Sequence, residues 1–374
     1  MTRLGSRIAA WSVGLFGLLV AAVLVSAGIG PVSIPAVTVG KILLSAIEVP
    51  VGIGFVAGGA EPGVRAGAGA TGLLPDLVVV TAPLFTFDVP ETARTIVMQI
   101  RMPRITLAAL VGFALALAGA VMQGFFRNPM ADPSIIGVSS GAALGAVAVI
   151  TLPITIPFGL GLHGAAFLGG LLAAFGVYLI ATEDGRTPVA TLLLAGVAIQ
   201  TLLGAAISYL LVQSGESLER AVYWLMGHLH NASWMEVWAT TLVLPPLFVL
   251  LLAYSRDLNV LLLGEEDAHS LGIEVEWTKR ILLATSSLVT AAAVAVSGVI
   301  GFVGLIVPHI MRLLVGPDHR ILLPTSALAG ASFLVLTDTL ARSGPAELPV
   351  GIVTAALGAP FFLYLLRRRE VHAL

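Results

Sequence analysis

Seven histidines are the first candidates for chemistry: His163, His228, His230, His269, His309, His319 and His372. A zinc hydrolase would carry HExxH on a helix, so that two imidazoles and a general-base carboxylate share one face. None of the seven has a carboxylate at that spacing. Nor does any Ser/His pair suit an intramembrane serine protease. His228-x-His230 is a close pair with the donor chemistry for a metal. An isolated HxH is ordinarily surface chemistry without a role, so no metal site is expected. The chain has no Cys, which removes thiol catalysis, disulfides and Cys-ligated metals. Its only lysines, Lys41 and Lys279, stand in no GxxxxGK[ST] phosphate loop, so it does not hydrolyse ATP alone.

The charged residues are also few. The 374 residues include 19 Lys or Arg and 21 Asp or Glu, 11% of the chain, against about 25% in a soluble domain. Apolar residues make up 57% and the mean hydropathy is +1.01. That balance excludes a soluble globular fold and a disordered chain. The net charge of −2 gives no nucleic-acid signal. Asp338 is the clearest ionisable residue inside an apolar stretch. It lies four residues before Arg342, the spacing of a helical ion pair. A proton- or sodium-coupled carrier needs midplane carboxylates or an ion site lined by broken helices. No buried acidic cluster is visible, so the energy for any transport comes from elsewhere.

The elements that hold these residues are membrane helices. Leu, Ala, Val and Gly form the apolar bulk, which suits packed helices better than a barrel. A span needs about 20 apolar residues, and ten candidates stand at 8–28, 104–124, 138–152, 164–181, 190–212, 238–255, 279–297, 299–315, 322–341 and 349–366. Ser297-Gly298 separates the seventh from the eighth and marks a tight turn or broken helix. Arg3 and Arg7 with Val25-Ser26-Ala27 resemble a signal peptide. The apolar stretch is longer than a usual signal core, so an uncleaved helix is expected. With a cytoplasmic C-terminus, 12 of the 19 basic residues are internal, and five of the seven external ones belong to one long loop. The positive-inside rule then puts both termini in the cytoplasm.

The long external loop covers 29–103. Val39, Ile42, Leu43, Ala46 and Ile47 fall on one face of a short interfacial helix, and residues 51–72 form a flexible Gly/Ala-rich insertion. Residues 218–234 read as an amphipathic helix carrying Leu218, Val222, Trp224, Leu225 and Met226, with Trp234. The internal loop 256–278 contains EEDAHSL between Gly264 and Gly272: a two-turn helix with acids where the helix dipole favours them. It is either a solvated connector or a docking knob. Gly137, Gly141 and Gly145, like Gly112, Ala116 and Ala120, align on single faces for close helix packing. Asn128-Pro129 and Asp132-Pro133 enforce an extended connector.

Several strings resemble the permease subunit of the ABC importers for iron chelates and vitamin B12. They are QIRMPRITLAALVGFALALAGAVMQGFFRNPMADPSIIGVSSGAALGA (99–146), WLMGHLHNASW (224–234), GEEDAHSLGIE (264–274), SGVIGFVGLIVPHIMRLLVGPDHRILLPTSALAGA (297–331), TDTLAR (337–342) and ELPVGIVTAALGAPFFLYLL (347–366). The resemblance implies an all-α, multi-pass protein of ten helices in a bacterial inner membrane, the whole of 1–374 being one transmembrane domain. It implies a homodimer with a pathway at its twofold axis. Two cytoplasmic ATPase subunits would hold the ATP and Mg, with no cofactor in this chain, and a periplasmic or lipid-anchored binding protein would deliver the chelate.

Site residues follow by the same resemblance. Gly264, Glu265, Ala268, Leu271 and Gly272 match the helix that couples to the ATPase. Arg101, Arg104 and Arg342 match external arginines that dock the binding protein. Gln123, Asn128 and Ser139 are weaker pathway candidates, since helix-end hydrogen bonds account for them equally. A ferric siderophore is the expected cargo, with haem and cobalamin as alternatives and a secondary transporter of a metal complex as the remote one.

Overall fold

In the computed structural model each of the ten apolar segments is a helix. Residues 3–56, 76–152, 161–344 and 346–368 are described. The ten are α1 (Arg3–Gly28), α4 (Met102–Phe125), α5 (Val138–Thr151), α6 (Gly161–Ala181), α7 (Val189–Gln213), α9 (Trp234–Ala253), α12 (Val275–Ser297), α13 (Val303–Val315), α14 (His319–Ala341) and α15 (Val350–Arg368). Among the described residues seven helices have the length and composition to cross a membrane, while α5, α13 and α15 are shorter apolar helices. Short helices fill the connections: α2 (Ala36–Ser45), α3 (Glu91–Thr95), α8 (Leu218–Leu225), α10 (Ser255–Leu261) and α11 (Glu265–Ser270).

Helices α4, α12 and α14 are mostly buried, whereas α1, α7 and α9 keep apolar side chains outward, the pattern of helices facing lipid. Glycine brings the central helices together. A Cβ on Gly112 would sit 2.2 Å from the Gly330 carbonyl oxygen of α14, and one on Gly119 would sit 1.9 Å from that of Gly304 in α13. The α5–α6 contact uses Gly141 against Gly169 and Gly145 against Ala165. Gly137 departs from the predicted stripe. It precedes α5 in the left-handed region, at φ 86°.

Four local expectations change. The second span extends back to Glu91, through α3 and a π-helical turn at Ile96–Arg101. The turn ends just before Pro103, which has no N–H to bond the carbonyl four residues back. Residues 51–56, placed in the Gly/Ala-rich insertion, lie in strand β1 (Glu48–Val56), which pairs antiparallel with β2 (Asp76–Pro83). The rest of that insertion, and residue 73 onward to 75, lie outside the described residues. The amphipathic helix at 218 stops at Leu225, because Gly227 has φ 70° and Trp224 turns into the core. The eighth span begins at Val303 rather than 299, since Gly298 and Phe302 both have positive φ.

Candidate functional site

Two polar faces gather the residues singled out above. At the predicted inner face, α11 is a six-residue helix between Gly264 at φ 129° and Gly272 at φ 86°. Both values lie where a Cβ is strained, so glycine is needed to enter and leave so short a helix. Ala268 is fully buried and seats the helix on the protein body. Leu271 is 63% exposed at the far end, and Leu263 (63%) and Trp277 (53%) add apolar surface around it. Large exposed apolar side chains along a charged segment are the composition of a contact surface. Beside them lies a cleft of about 760 Å³ whose walls include Glu266, His269, Trp277 and Arg280.

Glu265 has a second role that spacing did not reveal. Its carboxylate accepts from Lys279 Nζ at 3.2 Å, and the same ammonium bonds Glu276 at 2.9 Å. Glu276 also accepts from the Thr187 backbone N–H at 3.1 Å. Buried Lys279 thus ties α11 to α12, and α12 to the α6–α7 turn. A second tie runs through α10. Asn259 donates to Asp318 at 2.8 Å and accepts from the His319 N–H at 2.8 Å, at the start of α14. Asp318 caps that helix by accepting from the Arg320 N–H at 3.0 Å. The Arg320 guanidinium, aided by these bonds, lowers the Asp318 carboxyl to about 2. The ties between elements did not stand out in the sequence, because Lys279 reaches Glu265 across 14 residues and Asn259 reaches Asp318 and His319 across about 60.

At the predicted outer face the three arginines turn inward. Arg101 is 4% exposed, donates to the Ala27 carbonyl at 2.6 Å and also bonds that of Val32. Arg342 donates to the carbonyls of Ser26 at 2.5 Å and Ile29 at 3.0 Å. Ser26 and Ala27 lie in the last turn of α1 and Ile29 and Val32 just beyond it, so both guanidiniums sit at the carbonyl end of the helix, where its dipole favours cations. Arg104 grips Asp338 with two nitrogens, Nη2 to Oδ1 at 2.7 Å and Nε to Oδ2 at 2.9 Å, and also bonds Glu347. The helical pair Asp338–Arg342 exists, but at 3.6 Å it is the looser contact.

Close to this cluster three segments cross at glycines. A Cβ on Gly227 would meet the Val299 carbonyl oxygen at 2.4 Å, one on Gly298 that of Trp224 at 2.3 Å, and one on Gly351 that of Met226 at 2.1 Å. The crossing fixes the loop that carries His228 and His230. Burial lowers His228 to about 4 and shifts His230 in the same direction, so both are neutral imidazoles at pH 7.

The three weaker candidates separate. Gln123 is fully buried between α4 and α13 and donates to the Leu305 carbonyl at 2.9 Å and that of Gly304 at 3.3 Å. Pro308 leaves the Gly304 carbonyl without its helical donor, and Gln123 supplies one. Its own oxygen accepts from Arg312 at 2.8 Å. Asn128 is exposed and closes a turn, accepting from the Met130 N–H at 2.9 Å. Ser139 is half-buried in the first turn of α5.

The model of the FecCD transport family matches residues 70–368. The chain is 57% identical, over the full length of both, to the cobalamin import system permease of Halobacterium salinarum. It is 46% identical to the hemin transport system permease of Yersinia pestis, over 73% of this chain and 84% of that one. A solved metal-chelate type ABC transporter, in an inward-facing conformation, superposes with a TM-score of 0.73 at 32% identity, over 96% of this chain and 98% of the other. Together with the helical membrane architecture and the exposed knob between two glycines, these matches establish that the chain belongs to the FecCD transport family, as an ABC importer permease.

Proposed function

We propose that this chain forms the transmembrane pathway of a cobalamin importer in the cytoplasmic membrane, as a homodimer served by two ATPase subunits and a binding protein. The cargo differs from the siderophore expected on family frequency alone. What supports cobalamin is the relative that matches from end to end, including the long first loop, and carries that name. Haem is the second reading, favoured by the Yersinia relative. Proteoliposomes holding this permease, its ATPase and its binding protein test both. Uptake of radiolabelled cobalamin that requires ATP supports the first, and uptake of haem alone replaces it with the second.

In the proposed cycle α11 is the contact to the ATPase. The carrying observation is Leu271, exposed at the tip of a helix whose two ends are set by glycine. When the ATPase pair closes, force on α11 passes to α12 through Lys279 and to α14 through Asn259 and Asp318. Leu271→Arg leaves the chain folded and abolishes transport-linked ATP hydrolysis. Retained coupling in vesicles would remove α11 from this role.

Arg101, Arg104 and Arg342 remain the proposed docking residues for the binding protein, with unequal parts. Arg104 reaches the rim through Glu347, whose side chain is 43% exposed, so an incoming carboxylate can displace Glu347. Arg101 and Arg342 act from behind by holding the end of α1. For the pathway, Asn128 is the proposed lining residue at the inner mouth, with Ser139 above it. Gln123 steadies the adjacent α13.

A further inference from the structure

The loop between α8 and α9 reads Gly227-His228-Leu229-His230, and its side chains alternate. Leu229 is buried in the core. The two imidazoles emerge together on the other side, as alternation along an extended chain requires. Their ring centres are 4.5 Å apart. Tyr223 closes a third side, 5.2 Å from the His228 ring and 5.0 Å from that of His230. His228 Nδ1 is buried without a hydrogen-bond partner. An unsatisfied buried nitrogen is costly in a folded protein and asks for a ligand.

The spacing suits a metal. A metal bound about 2.1 Å from an imidazole nitrogen lies about 3.2 Å from the ring centre. Two rings meeting at a right angle are then about 4.5 Å apart, and at a tetrahedral angle about 5.2 Å. The observed separation falls at the right-angle value and below the tetrahedral one, so the pair suits a tetragonal or octahedral centre such as Ni²⁺ rather than tetrahedral Zn²⁺. The charges facing the pair are Arg104 and Glu347, which bond each other, and His163 further out. They offer no net negative field for a hard cation, so binding rests on the nitrogen lone pairs. Such donors select a borderline transition metal over Ca²⁺ or Mg²⁺. Among the described residues no third His, Cys, Asp or Glu joins the pair, so water or a chelate fills the other positions.

We propose that His228 and His230 form a two-imidazole site for a transition-metal centre at the outer face, either a free ion or the metal of a chelate with an exchangeable ligand. In the second case an imidazole nitrogen forms the bond to the metal and a bound water leaves, with no change of oxidation state. The site does not rest on the cargo assignment, because its test reads binding and not transport.

The full chain, in lipid nanodiscs and without a polyhistidine tag, is titrated calorimetrically with Ni²⁺, and separately with aquocobalamin followed by visible absorption. Cyanocobalamin, whose axial position is blocked, is the control. His228→Gln and His230→Gln should each weaken Ni²⁺ binding at least tenfold, and the double variant should abolish it. His269→Gln, on the predicted inner side, should bind as the wild type does. A histidine-dependent spectral shift with aquocobalamin but not cyanocobalamin identifies a chelate-borne metal as an occupant, and Ni²⁺ binding alone identifies the free ion. Failure of both probes, or binding that the double variant retains, overturns the site. Circular dichroism and elution volume confirm that each variant is folded.

Discussion

Lys279→Met is the sharpest test of how α11 is held. The Lys279 ammonium is buried, while the Glu265 and Glu276 side chains that flank it are 41% and 28% exposed. A pair at about 3 Å attracts by roughly 5 kcal/mol at an effective dielectric near 20. Desolvation of the buried amine and screening of the half-exposed acids leave about 1–3 kcal/mol net. The bridge to Glu265 is what links α11 to α12, so its loss loosens α11 specifically. A loss of about 2 kcal/mol multiplies the undocked population of α11 by roughly 30. Hydrogen exchange reads this directly, since the amides of Ala268 and Leu271 are bonded only within this short turn. Their exchange should quicken by about that factor, while amides in the middle of α12 keep theirs. Glu265→Gln should give a smaller effect in the same direction. Transport per ATP hydrolysed should fall in both variants. Unchanged exchange at these amides in a folded Lys279→Met chain would refute the tie, and unchanged coupling would refute its role in transmission.

Three further outcomes follow from the same contacts. Asp338→Asn leaves Arg104 and Arg342 without their buried anion and should destabilise the chain by about 3–5 kcal/mol in detergent unfolding, whereas Arg104→Met with Asp338→Leu should recover much of that loss; a double variant no better than the single would refute the pairing. Gly119→Ala forces α4 and α13 apart, since its Cβ would lie 1.9 Å from the Gly304 oxygen; at least about 2 kcal/mol of stability should be lost, and an unchanged thermal midpoint would contradict the close approach. Asp318 is held near 2, below its usual value of 3.8, so its contribution is whole above about pH 4 and disappears as the pH falls towards 2; Asp318→Asn should remove that part of the acid dependence, as measured by unfolding between pH 5 and 2.

The helices were legible because the bilayer imposes one rule along the whole chain. A segment that must bond its own backbone and meet lipid shows in hydropathy alone: seven helices long enough to span, and the three shorter apolar helices α5, α13 and α15, lie where the apolar runs predict. Their ends were less legible. Glu91–Arg101 is polar enough to read as loop, yet it continues the helix outside the apolar run, and the turn at Gly298 consumed the four residues 299–302 that hydropathy assigned to a span. The β1–β2 pairing was hidden for another reason. Residues 51–56 alternate bulky side chains with glycine rather than with polar residues, and the Gly/Ala-rich run that follows made the whole stretch read as linker.

The site was legible where function needs a local shape and hidden where it needs a distant partner. Gly264 and Gly272 announce themselves, because a left-handed residue at each end of EEDAHSL is a property of that stretch alone. The outer arginines were singled out by resemblance, but only the fold shows that they close the carbonyl end of α1 and grip Asp338. The same contacts explain why cationic side chains are tolerated on the disfavoured side: each is neutralised by a helix end or a carboxylate before it meets the lipid. Glu347 is the exposed member of that network, with its oxygen on Arg104 and the imidazole pair beside it. A partner's carboxylate that displaced it would take over Arg104 and change the field at His230 in one step. The proposed docking and the proposed metal contact would therefore be linked electrostatically through a single side chain, and Glu347→Gln should shift both affinities together; a shift in only one of them would refute the linkage.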